Sequence, residues 1–219
     1  MSGLSKRARK ASYLSELSKI TIPEKLEHGL VIDLFAGSGG LSLGFESVGF
    51  QTIGYEKEKQ YVQTYNNNLE GKCFNLVLDN ETEFPSAEVV IGGPPCQPWS
   101  ETGKNLGEYD PRDGFPAFID CVKKVQPRIF VAENVKGLTF EKNREYLSHI
   151  IAELEGLGYE VESRVIRMVN FGLPQKRERL FIIGHHGGFN FPEEHDMIYT
   201  VEDAVGVWAK QEPIDGKYL

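Results

Sequence analysis

A chain of 219 residues is long enough for one domain with a substantial core, and too short for much more than an appendage beside it. With 40% hydrophobic and 26% charged residues it has an ordinary globular composition, and no apolar run nears the roughly 18 residues of a membrane span. A formal net charge of −8 argues against a self-sufficient nucleic-acid surface, which needs cations to displace phosphate counterions.

Residues 1–29 are polar, with Lys6, Arg7, Arg9 and Lys10 near the front and no apolar signal core. They read as a solvated extension or as a DNA-touching arm. From residue 30 short apolar runs alternate with helical spacing. The runs at 30–35, 51–56, 74–78, 87–93, 128–134 and 179–184 read as strands. Leu41, Phe45 and Val48 fall on one helical face, as do Ile150, Leu154 and Leu157. Pro116 leaves the start of the helix after residue 114 open. Apolar strands separated by amphipathic helices predict an α/β domain over 30–190, with a doubly wound, mostly parallel sheet. Residues 191–219 follow that domain. The sparse, odd set Cys73, Cys96 and Cys121 fits a reducing cytoplasm rather than a disulfide framework. No Cys/His spacing suggests a metal, and His185-His186 reads as a surface feature at a strand end.

Doubly wound sheets bind ligands at the carboxyl ends of their strands, and the polar motifs cluster there. The first strand enters the glycine turn Asp33-Leu34-Phe35-Ala36-Gly37-Ser38-Gly39-Gly40, and the second ends in Glu56. An acid about 20 positions after a glycine turn is placed to bond ribose hydroxyls, while the glycine spacing departs from the dinucleotide fingerprint. A nucleoside cofactor without a pyrophosphate follows. Asp79 either accepts from an adenine amino group or forms a turn with Asn80. Cys96 sits in Gly92-Gly93-Pro94-Pro95-Cys96-Gln97-Pro98, where the prolines hold a thiol in one pose suited to a nucleophile. Cys73 and Cys121 read as packing residues. Glu133-Asn134 is either a helix cap or a partly buried acid able to donate a proton. Lys176, Arg177 and Arg179 form either a salt-bridged surface or a phosphate- or base-recognising set.

DLFAGSGG, GGPPCQPWS, AENV and FGLPQKRER, in this order, resemble the motif series of the DNA (cytosine-5)-methyltransferases, over roughly residues 30–190. The resemblance implies a Rossmann-like fold that uses S-adenosyl-L-methionine and releases S-adenosyl-L-homocysteine. It implies a cofactor loop of Phe35, Gly37, Ser38, Gly39, Gly40 and Leu41, a ribose carboxylate Glu56, an adenine contact Asp79 and pocket walls Pro95 and Phe115. It assigns Cys96 as nucleophile, Glu133 to the cytosine ring, and Arg177 and Arg179 beside the target base. The segment Lys104 to Arg112 resembles the family's DNA-closing loop, and Gln97, Ser100, Lys104, Arg112 and Gln175 are its expected DNA contacts. Pro98-Trp99 stands where the family usually has Phe or Gly-Phe. The implied function is cytosine-5 methylation of double-stranded DNA in a restriction–modification system, in a bacterial cytosol or nucleoid, with no membrane partner. The segment Thr200 to Val205 resembles the connector before the family's target-recognition region. A second polypeptide carrying that region and the closing motifs is the corresponding expectation. A catalytically silent cofactor- or DNA-binding module and a tRNA cytosine-5 methyltransferase are the competing readings.

Overall fold

The protein is represented by a computed structural model that describes residues 13, 15, 27–95, 113–194 and 197–206. The basic cluster at Lys6 to Lys10 lies outside them. The strands are β1 (His28–Leu34), β2 (Phe50–Glu56), β3 (Lys72–Asn75), β4 (Val89–Gly92), β5 (Ile129–Val135), β6 (Glu160–Arg167) and β7 (Glu178–His185). The helices are α1 (Gly40–Glu46), α2 (Lys59–Asn68), α3 (Phe115–Val125), α4 (Arg144–Gly156) and α5 (Val201–Val205).

All seven strands form one sheet in the order β3-β2-β1-β4-β5-β7-β6. The β1–β2, β1–β4, β2–β3 and β4–β5 pairs are parallel, and β7 runs antiparallel to β5. The chain winds outward from β1 to β3 and then returns to β4 on the other side of β1. The carboxyl ends of β1 and β4 therefore flank the switch point, where a doubly wound sheet opens a crevice.

Alternation along the strands sends side chains to two apolar layers. Ile32, Leu34, Val90, Phe130 and Ile182 pack under Phe118 and Val122 of α3 and Ile150 and Leu154 of α4. Val31, Val89 and Ile91 face the other way, where Leu41 and Phe45 of α1 lie on them. Each such side chain, fully buried, contributes about 1.5–3 kcal/mol. Cys73 packs with Val62 and Tyr65 of α2, and Cys121 lies in the larger core. Burial pushes the Cys73 thiol up to about 12 and the Cys121 thiol higher still, so both are inert packing groups.

Several expectations need correction. The third strand is Lys72–Asn75 rather than 74–78, because Gly54, Tyr55 and Glu56 of β2 take Cys73, Phe74 and Asn75 as partners. Residues 76–78 leave the sheet. Strand β6 is absent from the expected set: as an edge strand, with most of its residues exposed or half-buried, it lacks an apolar run. Val48 lies beyond the end of α1 and is exposed, so only Leu41 and Phe45 hold that face. His185 is buried, not a surface feature; its Nε2 lies 3.1 Å from Glu162 Oε1 and its Nδ1 accepts from the Gly187 N–H. Pro116 occupies the first turn of α3, where a missing N–H costs nothing.

The described residues divide into two compact units. One comprises 27–165 and 179–190; the other comprises 166–178, 191–194 and 197–206 with Tyr13 and Ser15. Residues 166–178, placed by sequence inside the 30–190 domain, thus group with the later segment. Within that second unit the Met168 N–H donates to the Arg177 carbonyl at 2.9 Å. A capping box of Thr200 and Asp203 starts α5. No described helix is long and apolar enough to cross a membrane.

Candidate active site

The glycine turn leaves β1 through left-handed backbone at Phe35 (φ 56°), Gly37 (φ 54°) and Gly39 (φ 89°). Two bonds to β2 hold it there. The Ala36 N–H donates to the Tyr55 carbonyl at 3.1 Å, and the Gly37 N–H donates to Glu56 Oε2 at 3.0 Å. The Glu58 N–H donates to the other carboxylate oxygen, Oε1, at 2.8 Å. Glu56 is thus clamped by backbone amides on both oxygens, and each oxygen keeps a lone pair for a further donor.

Beside this carboxylate opens a cavity of about 410 Å³, walled by Phe35, Tyr55, Tyr61, Leu76, Val77 and Leu78 and closed below by Gly93, Pro95 and Gly114. Gly114 has to be glycine: a Cβ there would lie 2.4 Å from Pro95 Cδ and 2.9 Å from Phe35 Cζ. Aromatic and aliphatic walls for a base, with a fixed acid for ribose hydroxyls, suit a nucleoside. Phe35, Glu56 and Pro95 line the cavity. Gly37, Ser38, Gly39 and Gly40 shape the turn without lining it, and Leu41 packs on the sheet. Two expectations are not met. Phe115 is 1% exposed, edge-on to Tyr146 in the core, and its neighbours Gly114 and Ala117 line the cavity instead. Asp79 is not a lining residue; its Oδ1 accepts from Thr82 Oγ1 at 2.8 Å and the Glu81 N–H at 3.1 Å, the turn-forming alternative. Leu76, Val77 and Leu78 supply the wall, which their apolar run concealed because it also suits a strand.

Cys96, Gln97, Ser100, Lys104 and Arg112 lie outside the described residues. The turn leading to Cys96 is tied to two strands, β1 and β5, and to the N-cap of α3. The Gly93 N–H donates to the Leu34 carbonyl at 3.3 Å, Asn134 Nδ2 to the Pro94 carbonyl at 2.9 Å, and the Gly114 N–H to the Pro95 carbonyl at 2.9 Å. Asn134 is therefore a brace for this turn and not a helix cap. Glu133 is partly buried, and Arg179 Nε lies 2.9 Å from its Oε1. A Cβ on Gly93 would stand 3.9 Å from Glu133 Oε2, so the carboxylate abuts the glycine that lines the cavity. Arg177 and Gln175 are exposed members of the second unit. Among the described residues no cluster of His, Cys, Asp or Glu could hold a metal.

Below the glycine turn lies a buried polar chain that the sequence reading passed over. Asp33, 1% exposed, is joined through Ser42, Tyr65 and Thr52 to Glu46, also fully buried. Its one sequence signal is an acid inside the apolar run LVIDLF.

Residues 30–210 match the family model of the C-5 cytosine-specific DNA methylases. The Type II methyltransferase M.AplI of Arthrospira platensis is 47% identical over 193 residues, which are 87% of this chain and 56% of the relative. The Type II methyltransferase M.FnuDI of Fusobacterium nucleatum is 40% identical over 164 residues, 73% of this chain and 48% of the relative. The chain thus spans about half the length of the curated relatives it matches. Among solved structures, a prophage-encoded E. coli protein proposed to be a DNA modification methyltransferase superposes with a TM-score of 0.66 at 27% identity, covering 80% of this chain and 54% of its own.

Proposed function

We propose that this chain, which belongs to the C-5 cytosine-specific DNA methylase family, is the cofactor-binding and catalytic portion of a DNA cytosine-5 methyltransferase of the restriction–modification type. The observation that carries this reading is the convergence at Gly93. It lines the nucleoside-sized cavity, leads into the cysteine turn and abuts the Glu133 carboxylate. Bound in the cavity, S-adenosyl-L-methionine would supply an electrophilic methyl group, with Glu56 to hold its ribose and Phe35 and Leu76–Leu78 to flank its base.

Carbon 5 of cytosine is too weak a nucleophile to take a methyl group unaided. The Cys96 thiolate adds to carbon 6 and makes carbon 5 electron-rich, with negative charge developing across the ring toward nitrogen 3 and the carbonyl oxygen. Glu133 is assigned to nitrogen 3, delivering there a proton taken up from solvent as the base enters, and Arg179 stabilises the oxygen. Their mutual ion pair holds both groups ready before the base arrives. After methyl transfer, removal of the carbon-5 proton and expulsion of the Cys96 thiolate restore the aromatic ring. The base must leave the helix to reach this site, at a cost of about a few kcal/mol. Arg177 is assigned beside the target base with Arg179, and Gln97, Ser100, Lys104, Arg112 and Gln175 are assigned to DNA contacts.

The reading is tested with a duplex carrying 5-fluorocytosine, whose fluorine cannot be removed as a proton. A covalent protein–DNA adduct that vanishes in Cys96→Ser is the expected result. An adduct that persists in Cys96→Ser, or none under any condition, rejects it. Target choice is assigned to the relatives' portion outside the match. Full sequence-specific methylation by this chain without any partner rejects that assignment.

A further inference from the structure

The buried chain below the glycine turn can be counted proton by proton. Its four contacts are Asp33 Oδ2–Ser42 Oγ (2.7 Å), Ser42 Oγ–Tyr65 Oη (2.9 Å), Tyr65 Oη–Thr52 Oγ1 (2.7 Å) and Thr52 Oγ1–Glu46 Oε1 (2.6 Å). Each needs one hydrogen, and the three hydroxyls bring only three. With both carboxyls ionised, Ser42 donates to Asp33, Tyr65 to Ser42 and Thr52 to Glu46. Two oxygens then face each other across the Thr52–Tyr65 contact with no hydrogen between them. The fourth proton has to sit on a carboxyl.

The surroundings say which one. Glu46 also accepts from the Gly71 N–H on Oε1 (2.8 Å) and the Glu70 N–H on Oε2 (3.1 Å), which favours its ionised form. Asp33 Oδ1 is buried with no hydrogen-bond partner, an arrangement that penalises a carboxylate. We propose that Asp33 is held as the neutral acid, donating to Ser42, and that it thereby acts as a positioning residue for the cofactor loop. Burial raises Asp33 to about 7, opposed by the Ser42 hydroxyl and the Ser42 backbone N–H and aided least by the nearby Glu56 carboxylate. The other titratable groups in this environment are Glu46, the Tyr65 hydroxyl and the Cys73 thiol.

The link to the loop is steric as well as polar. Asp33 and Ser42 bracket the glycine turn, and their contact ties the strand end to the helix start. Tyr65 is the floor: a Cβ on Gly39 would lie 2.8 Å from its Cδ2. Ionising Asp33 removes the hydrogen from the Thr52–Tyr65 contact, pushes Tyr65 from its seat and unsettles Gly39.

This role rests on the cofactor reading, so the experiment separates the two. In the full chain, infrared difference spectra across the Asp33 titration should show a carboxylic-acid carbonyl band that disappears in Asp33→Asn and persists in Glu46→Gln. The reverse pattern, or no band, overturns the proton assignment whether or not cofactor binds. Calorimetric titration with S-adenosyl-L-methionine tests the loop role. Wild-type affinity should fall about tenfold as pH rises through neutrality. Asp33→Asn, whose amide still donates to Ser42, should bind within about threefold of wild type at pH ~6 and lose the pH dependence. Ser42→Ala should bind about tenfold more weakly at pH ~6. An unchanged pH profile in Asp33→Asn overturns the loop role, and wild-type binding at no pH overturns the cofactor reading on which it rests.

Discussion

At the residue scale, Glu56 and Asp33 are two carboxyls at neighbouring strand ends with opposite tasks. Glu56 is clamped by the Gly37 and Glu58 amides, which aim its remaining lone pairs into the cavity. Glu56→Ala should weaken S-adenosyl-L-methionine binding by tenfold or more, about 1.4 kcal/mol, read by calorimetry. Asp33 lies inside, and its burial has a consequence for stability. An acid whose folded-state value is raised from 3.8 to about 7 keeps its proton when folded over a range where the unfolded chain has released it. Stability is then greatest below the lower value and falls as pH rises toward the upper one, by at most about 1.4 kcal/mol per pH unit. Urea unfolding of the wild type should show that decline, and Asp33→Asn should flatten it.

At the scale of elements, the cysteine turn owes its position to β5 and α3 as much as to its own prolines. Asn134, near the end of β5, carries the Pro94 carbonyl, and the Gly114 amide at the start of α3 carries that of Pro95. Asn134→Ala leaves a buried carbonyl without its donor, a loss of about 1–3 kcal/mol. Its expected signature is a fall in kcat of about tenfold with cofactor affinity nearly unchanged, measured in single-turnover methylation. Sheet register imposes a second constraint. Gly184 of β7 stands opposite Phe130 of β5, and a Cβ there would collide with the phenyl ring. Gly184→Ala should cost about 1–3 kcal/mol by overpacking, read as a lower urea midpoint.

At the scale of the molecule, the proposed duplex substrate has to be reconciled with a net charge of −8. The chain alone should bind DNA weakly, with an affinity that varies little with salt. With a cationic target-recognising portion present, binding should tighten and the slope of log K on log salt should steepen by about 0.9 for each phosphate neutralised. Fluorescence anisotropy over a salt series distinguishes the two cases.

How much was legible follows from what each feature depends on. The α/β class, the strand ends to within a residue of Leu34, Glu56 and Asn134, the glycine turn and the cysteine turn rest on local periodicity and turn chemistry, which neighbours in sequence carry. The wall of Leu76–Leu78, the retirement of Phe115 to the core, the burial of His185 and the edge strand β6 depend on which strands lie side by side. So do the meeting of Glu133 with Arg179 and the chain from Asp33 to Glu46, whose members come from distant stretches. The sequence by itself determined which chemical groups stand at the carboxyl ends of the strands. Only the tertiary structure decided which of them touch, because contact between groups far apart in the chain is set by the β3-β2-β1-β4-β5-β7-β6 order and its register, and neither is written in any local pattern.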